Sequence, residues 1–593
     1  MKRLLVLLFV ITATLAYAND AKISPELRKY PATQQANVIV QYAPSAPVNC
    51  SGLLGLVDCL VNDVVQLGGT VLSDLPLVNG VLAQLDGNAI QSLSNHSNVV
   101  YISLDRPLSP TLSNAASAVN APFAWQSNYT GAGISVALID SGVSSHPDLD
   151  LGLLPLSRVV YNQSFVPGNS SASDQYGHGT HVAGLIAGDG LSSAGPFYSK
   201  TFRGIAPSAS IVNLRVLDEN GAGTDSLVIA AIDQAIALKS RYNIRVINLS
   251  LGRAVYETYK LDPLCQAVEQ AWKSGIVVVV AAGNNGRYQP TDGYATVTSP
   301  GNDPYVVTVG AMKPMGTPTR TDDLIASYSS KGPSVVDAVV KPDIVAPGNL
   351  LTSLEAPNST LYNEYPGNQV PYSYYVNGGS SASSPRYFTL SGTSMAAGVL
   401  SGVVADLLQK SPNLTPDQVK ARLMLTAYKT FPESSSTTDP TTGITYTDQY
   451  DVFTVGAGYV DLEAALNSTA VAKGTAMSPI ASFNAVTNQV YLSDDPSAVW
   501  NTSATWANAA VWGQTQFVTG TAASSTATVS GSNALWGSNA LWGSNALWGS
   551  NALWGSNALW GSNALWGSNA LWGSNALWGS NALWGSNVAE GEN

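Results

Sequence analysis

Three residues far apart in this chain of 593 are of the types that together make an activated alcohol nucleophile. Asp140 closes the apolar run Ile134-Ser135-Val136-Ala137-Leu138-Ile139. His178 lies in Gly177-His178-Gly179-Thr180-His181-Val182-Ala183-Gly184, and Ser394 in Gly392-Thr393-Ser394-Met395-Ala396-Ala397-Gly398. A carboxylate that orients an imidazole, an imidazole that takes a proton and a hydroxyl that attacks are the parts needed for acyl transfer. Taken singly, Asp140 reads as a turn residue, His178 as a structural histidine and Ser394 as a helix N-cap. Their joint placement at a strand end and at two helix starts favours the chemical reading. Ligand sites of parallel sheets lie outside the carboxyl ends of the strands, and a helix N-terminus favours negative charge.

The elements that must position these residues are legible around them. From about residue 118, continuous apolar runs (134–139, 211–216, 246–249, 276–281, 306–309) alternate with helical periods (from Thr180, 227–238, 264–272). Long helices are expected over 393–410 and 416–426. Apolar strands separated by helices mean an α/β fold, a parallel sheet sandwiched by helices. Upstream, strands at 38–40, 70–72, 81–85 and 99–102 and helices at 53–67 and 89–93 give the order βαββαβ, a small ferredoxin-like α+β unit. Residues 1–18 read as a secretory signal, with Lys2 and Arg3, an apolar centre and Ala16-Tyr17-Ala18, too short to cross a bilayer. The expected division is 1–18 signal, 19–114 inhibitor-like unit, 115–466 α/β domain, 467–530 linker or extension, and 531–593 repeat tail.

Only 11% of residues are charged, and the net charge is −12, which argues against a nucleic-acid or anionic-membrane partner. No second segment reads as transmembrane. The three cysteines, Cys50, Cys59 and Cys265, cannot form a disulfide framework; a Cys50–Cys59 bridge stays open, and Cys265 reads as a small buried hydrophobe. Gly-Ser-Asn-Ala-Leu-Trp recurs nine times between Gly531 and Trp584, and Trp500, Trp506 and Trp512 already keep the six-residue step. A short extended piece followed by a turn suits a β-solenoid. The plain alternative is a flexible tail; so many Trp-bearing copies favour burial or docking, on a surface or polymer.

The motifs resemble those of the subtilase family, the subtilisin-like serine proteases, over about 118–466. The chain order Asp, His, Ser separates that family from chymotrypsin-like and α/β-hydrolase enzymes. The resemblance implies a secreted serine endopeptidase acting on protein or peptide substrates, with Ser394 as nucleophile, His178 as base and Asp140 as its orienting partner. Asn284, in Ala282-Gly283-Asn284-Asn285-Gly286, matches the family's oxyanion donor, with Asn285 as the rival. Ser250-Leu251-Gly252 and Gly221-Ala222-Gly223 resemble the two edges that pair with an extended substrate. Thr298 stands where deep primary pockets often carry Gly, which implies a preference for small or medium residues before the scissile bond. The ferredoxin-like unit resembles the family's propeptide, an intramolecular inhibitor whose tail, 105–114, would lie in the substrate groove until self-cleavage.

No cofactor is needed for such chemistry. Asp148 resembles a family calcium ligand, but its companion loop, 189–201, is rearranged, so a structural calcium is left unassigned. His181 lacks a third zinc partner and reads as a packed structural histidine. Gly398 replaces a common Pro at a cost of about 1 kcal/mol of helix propensity relative to Ala. The insert 355–387 is either a surface loop lining the cleft or a cleavage site. Asn248-Leu249-Ser250 matches a glycosylation pattern inside an expected core strand, so that pattern is poor evidence for glycans. The rival function is a non-catalytic surface-binding protein working through its Trp repeats.

Overall fold

The apolar runs become one sheet. In spatial order its strands are Leu324–Ile325, Val307–Lys313, Val277–Ala281, Ile244–Leu249, Ser135–Asp140, Ser210–Arg215 and Val159–Ser164, with Ile344–Pro347 also paired to Val307–Lys313. All pair in parallel except Leu324–Ile325. The runs carry no polar alternation because helices cover both faces, which leaves Val277–Ala281 buried at every position. From Ser135–Asp140 the chain goes to the edge strand Val159–Ser164, returns through Ser210–Arg215 and crosses to Ile244–Leu249 on the other side, so the order reverses beside Ser135–Asp140 and opens a crevice at its carboxyl end.

The computed structural model describes residues 20–43, 63–110, 116–506 and 511, except 25, 26, 29, 106, 153, 318, 440, 441, 485–488 and 504. Cys50, Cys59, the signal, most of the expected 53–67 helix, Trp512 and the hexapeptide tail lie outside them. Two compact units divide between Asp105 and Arg106. In the first, an antiparallel sheet runs Thr70–Leu75, Gly80–Asp86, Gln35–Tyr42, Val99–Leu104. Helix Gly87–Ser94, capped by Asp86 on the Ala89 N–H, buries Ile90 and Leu93 against Val38, Val40 and Leu85. That strand order and those residues are a ferredoxin-like arrangement, with 63–66 closing on a helical turn.

The second unit begins earlier than the expected boundary at 115. Backbone 107–110 pairs antiparallel with Gly223–Thr224 on one side and Leu251–Gly252 on the other. It also runs past 466. The hairpin Ile480–Asn484 with Gln489–Ser493 follows, and Trp500 and Trp506 are buried with Tyr294, Val340, Met424 and Phe453. Trp500 Nε1 donates to the Met477 carbonyl at 2.7 Å. The described part of 467–530 is therefore a packed extension of this unit. Among the described residues no helix is long and apolar enough to cross a membrane.

Candidate active site

Asp140 ends its strand at the crevice, fully buried. Its Oδ1 lies 2.6 Å from His178 Nδ1 and accepts the Ser141 N–H at 2.7 Å. His178 is the first residue of helix His178–Ala187 and is also fully buried. Asp174 holds that helix start. Its Oδ1 accepts the Gly177 N–H and the Ser141 hydroxyl, and its Oδ2 accepts the Thr180 N–H. The Ser141 hydroxyl in turn accepts the Gly179 N–H at 2.9 Å. Asp140 and His178 are thus locked together through their immediate neighbours.

Ser394 is the second residue of helix Thr393–Lys410. One turn into each helix, Gly398 faces Val182; a Cβ on Gly398 would stand 3.2 Å from Val182 Cγ1. The glycine gives up helix propensity and lets the two helices, and hence their N-terminal residues, approach closely. Ser394 Oγ donates to the Ser250 carbonyl at 3.0 Å. Ser250 Oγ donates to the Ser394 carbonyl at 2.7 Å and accepts from Asn248 Nδ2, while Asn248 Oδ1 accepts from Ser401. Asn248 is fully buried with its amide in use, which disposes of the glycosylation pattern there.

Asn284 follows Gly283, whose φ of +106° turns the chain off its strand. Asn284 Oδ1 accepts both the N–H and the hydroxyl of Thr393, at 2.9 and 3.1 Å. A backbone N–H only donates, so this contact fixes the oxygen end of the amide and turns Nδ2 away as a free donor. The rival Asn285 is fixed through its backbone N–H, which donates to Ser330 Oγ. Thr393 is a residue the sequence reading passed over, although it sits inside the quoted motif.

Ser250, Leu251 and Gly252 form one side of a groove, and Gly223 with Thr224 the other; the strand 107–110 lies between them. Gly221 and Ala222 turn just before that edge, with Asp218 accepting the Ala222 N–H. The Leu251 side is anchored from below by fully buried Arg253. Its guanidinium pairs with Asp225 Oδ2 at 3.0 Å and Asp262 Oδ1 at 2.8 Å. Ion clusters of this kind strongly destabilise a fold when one partner is removed. Thr298, almost buried, ties its hydroxyl to the Ala282 carbonyl at 3.3 Å. It packs between Gly252 and Gly283, where added Cβ atoms would meet it at 2.5 and 2.9 Å.

The remaining candidates are held by protein contacts among the described residues. His181 donates from Nε2 toward the Leu351 and Phe388 carbonyls; burial, with His178 nearby, pushes its pKa down to about 3, so it is a neutral structural histidine. Cys265 is free and buried, and burial raises its thiol pKa well above the ordinary value. Among the described residues no three His, Cys, Asp or Glu side chains cluster as a metal site. The insert after Leu354 packs on the segment before His178. The Thr360 and Leu361 N–H groups donate to the Gln175 and Tyr176 carbonyls, and the Thr360 hydroxyl donates to the Glu219 carbonyl.

Comparison with known proteins identifies the family and the fold. A sequence profile described as the subtilase family matches residues 131–458. Serine protease AprX of Bacillus subtilis is 37% identical over 358 residues, which cover 58% of this chain and 73% of that protein. Subtilisin E of the same organism is 34% identical over 371 residues, 62% of this chain and 80% of that protein. The crystal structure of fervidolysin from Fervidobacterium pennivorans, a keratinolytic enzyme related to subtilisin, superposes with a TM-score of 0.51 at 24% identity. That match covers 77% of this chain and 64% of the other, and it speaks for the fold alone.

Proposed function

The chain belongs to the subtilase family and is a subtilisin-like serine endopeptidase, and from that premise we propose that Asp140, His178 and Ser394 are its catalytic residues and that it is exported as a self-processed precursor. The observation that carries this reading is the buried 2.6 Å contact between Asp140 and His178 beside the helix whose second residue is Ser394. Ser394 Oγ attacks the peptide carbonyl and passes its proton to His178. His178 then protonates the departing amine, leaving an acyl-enzyme. Water repeats the sequence in reverse and frees the acid. Asp140 keeps the imidazole oriented and stabilises its cationic form. Asn284 Nδ2 receives the oxyanion. Asn284→Leu is expected to lower kcat about 10²–10³-fold with KM little changed, the loss measured for the corresponding donor in a subtilisin; steady-state kinetics on a peptide anilide checks it.

Substrate binds as an added strand between Leu251–Gly252 and Gly223–Thr224, by backbone hydrogen bonds that ignore side chains. The pairing of 107–110 with the same two edges supports a propeptide role for 19–114, with its tail held in the groove as an intramolecular inhibitor. Ser109 faces Gly252 and Pro110 faces Leu251. A fluorophosphonate probe tests the whole reading. It is expected to label Ser394 alone, in a band whose N-terminal sequence begins after Pro110. Label on another residue, or none, would refute the triad; a labelled band that still carries 107–110 would refute the self-processing only.

Thr298 sets the size of the residue accepted before the scissile bond, because its β-branched side chain fills the space between Gly252 and Gly283. Thr298→Gly is expected to move the preference from small or medium residues toward Phe and Tyr. Cleavage profiling of a peptide library reads this directly, and an unchanged profile would count against it. The hexapeptide tail is assigned to attachment on a surface or polymer. Removing everything after Val518 should then release the enzyme and leave its peptidase activity intact.

A further inference from the structure

Asp148 is where the family resemblance would put a calcium ligand, and its surroundings do not fit one. Calcium takes six to eight oxygen ligands and competes for carboxylates and carbonyls that have lone pairs to spare. Here each carboxylate oxygen already accepts a donor: Oδ1 takes the Ser192 N–H at 2.7 Å and Oδ2 the Tyr387 hydroxyl at 2.6 Å. The Asp148 carbonyl accepts both the Asp189 N–H at 2.9 Å and Arg158 Nη2 at 2.7 Å. The Arg158 guanidinium also donates to the Asp150 and Ala209 carbonyls, so a fixed cation already stands beside the place a metal would need.

We propose that Tyr387, Asp148 and Arg158 form a metal-free clamp that does at this site what a bound calcium would do. The clamp joins three separate stretches. Asp148 follows the strand that ends at Asp140. The loop that starts at Asp189 leaves the helix that begins with His178. Tyr387 lies on strand Ser383–Leu390, which runs directly into Gly392-Thr393-Ser394. Tyr387 also bonds Ser193 Oγ at 3.0 Å, and Arg386 Nη1 donates to Ser192 Oγ at 3.1 Å, so the 189–203 loop is held from the same strand. Aromatic packing closes the assembly. Phe202 meets Tyr387 edge-on at 4.6 Å, Tyr375 stands perpendicular to Tyr387 at 5.3 Å, and Tyr198 stacks on Tyr375 at 6.0 Å. Tyr375 belongs to the long insert, whose backbone also meets the loop through the Ser199 N–H to the Tyr375 carbonyl. The rearranged loop and the insert are two halves of one substitute for the cation. The clamp stands on these contacts alone and does not depend on which residues perform the chemistry.

The test is the half-life of the full mature enzyme at a fixed denaturing temperature, in excess EDTA and in millimolar calcium chloride, for the wild type, Tyr387→Phe and Asp148→Asn. The wild-type half-life is expected to be the same in both media. Tyr387→Phe, which removes the charge-assisted hydrogen bond to Asp148 and the bond to Ser193 while leaving the ring, is expected to shorten it about tenfold or more, with no recovery in calcium. If calcium lengthens the wild-type half-life and Asp148→Asn abolishes that effect, Asp148 binds the metal and the proposal falls. It also falls if Tyr387→Phe is as durable as the wild type. A calcium effect that survives Asp148→Asn places the cation elsewhere and leaves the clamp standing. If Tyr387→Phe yields no folded enzyme, the wild-type and Asp148→Asn comparison still decides.

Discussion

Ser394→Ala is expected to lower kcat by about a millionfold, the loss found when the nucleophile of a subtilisin is removed, and to leave the precursor at full length. The substitution is structurally mild. Ser394 is fully buried, and its hydroxyl makes a 3.0 Å bond to the Ser250 carbonyl. That carbonyl belongs to the groove edge that continues as strand Leu251–Gly252. Alanine keeps the helix start, the Thr393–Asn284 contacts and the Gly398–Val182 approach, all of which run through neighbouring residues. What disappears is the one atom able to form the acyl bond. Residual turnover of roughly 10³-fold over water, from the oxyanion donor and bound-substrate geometry, would remain. Kinetics on a peptide anilide, together with the apparent mass of the accumulated chain, measure both outcomes. Normal maturation of the mutant in a host lacking extracellular proteases would separate the endopeptidase activity from self-processing and leave only the former.

The Asp140–His178 contact and the helix start at Ser394 were legible because each of these residues sits inside a run of unusual neighbours. Ser141, Gly179 and Thr393, which do the positioning, are the residues immediately beside Asp140, His178 and Ser394. The buried strands were legible because parallel pairing under helices removes polar alternation. Val159–Ser164 escaped notice for the opposite reason. It is the sheet's edge, its positions are half-exposed or exposed, and it reads as ordinary polar sequence. Contacts between distant segments were not legible at all. Nothing in the local sequence of Asp148 says that Tyr387, more than two hundred residues away, will occupy its carboxylate. Likewise, the six-residue step of Trp500 and Trp506 made them look like worn copies of the tail repeat. Their role as core residues depends on Tyr294, Met424 and Phe453 being there to receive them.

Asp140→Asn tests the charge of the buried pair apart from its geometry, and is expected to lower kcat about 10⁴-fold, the order lost when the corresponding carboxylate of a subtilisin is removed, with KM nearly unchanged. Oδ1 of Asp140 receives two contacts, from His178 Nδ1 and from the Ser141 N–H, whereas Oδ2 is buried without a hydrogen-bond partner among the described residues. The Ser141 N–H can only donate, so in the asparagine the amide oxygen stays at the Oδ1 position and the NH₂ group falls at the partnerless one. The imidazole therefore keeps its orientation and its Nδ1 proton. It loses the negative charge that steadies it once it has taken the Ser394 proton, in a site where burial leaves little solvent to substitute. Burying an unpaired NH₂ carries its own cost of about 1–3 kcal/mol, so a lower melting temperature should accompany the lost turnover. The two effects separate by measurement: melting reports the amide, and kcat at temperatures where the variant is fully folded reports the charge. A variant that melts lower yet turns over like the wild type would show that the carboxylate is structural and that His178 works without it.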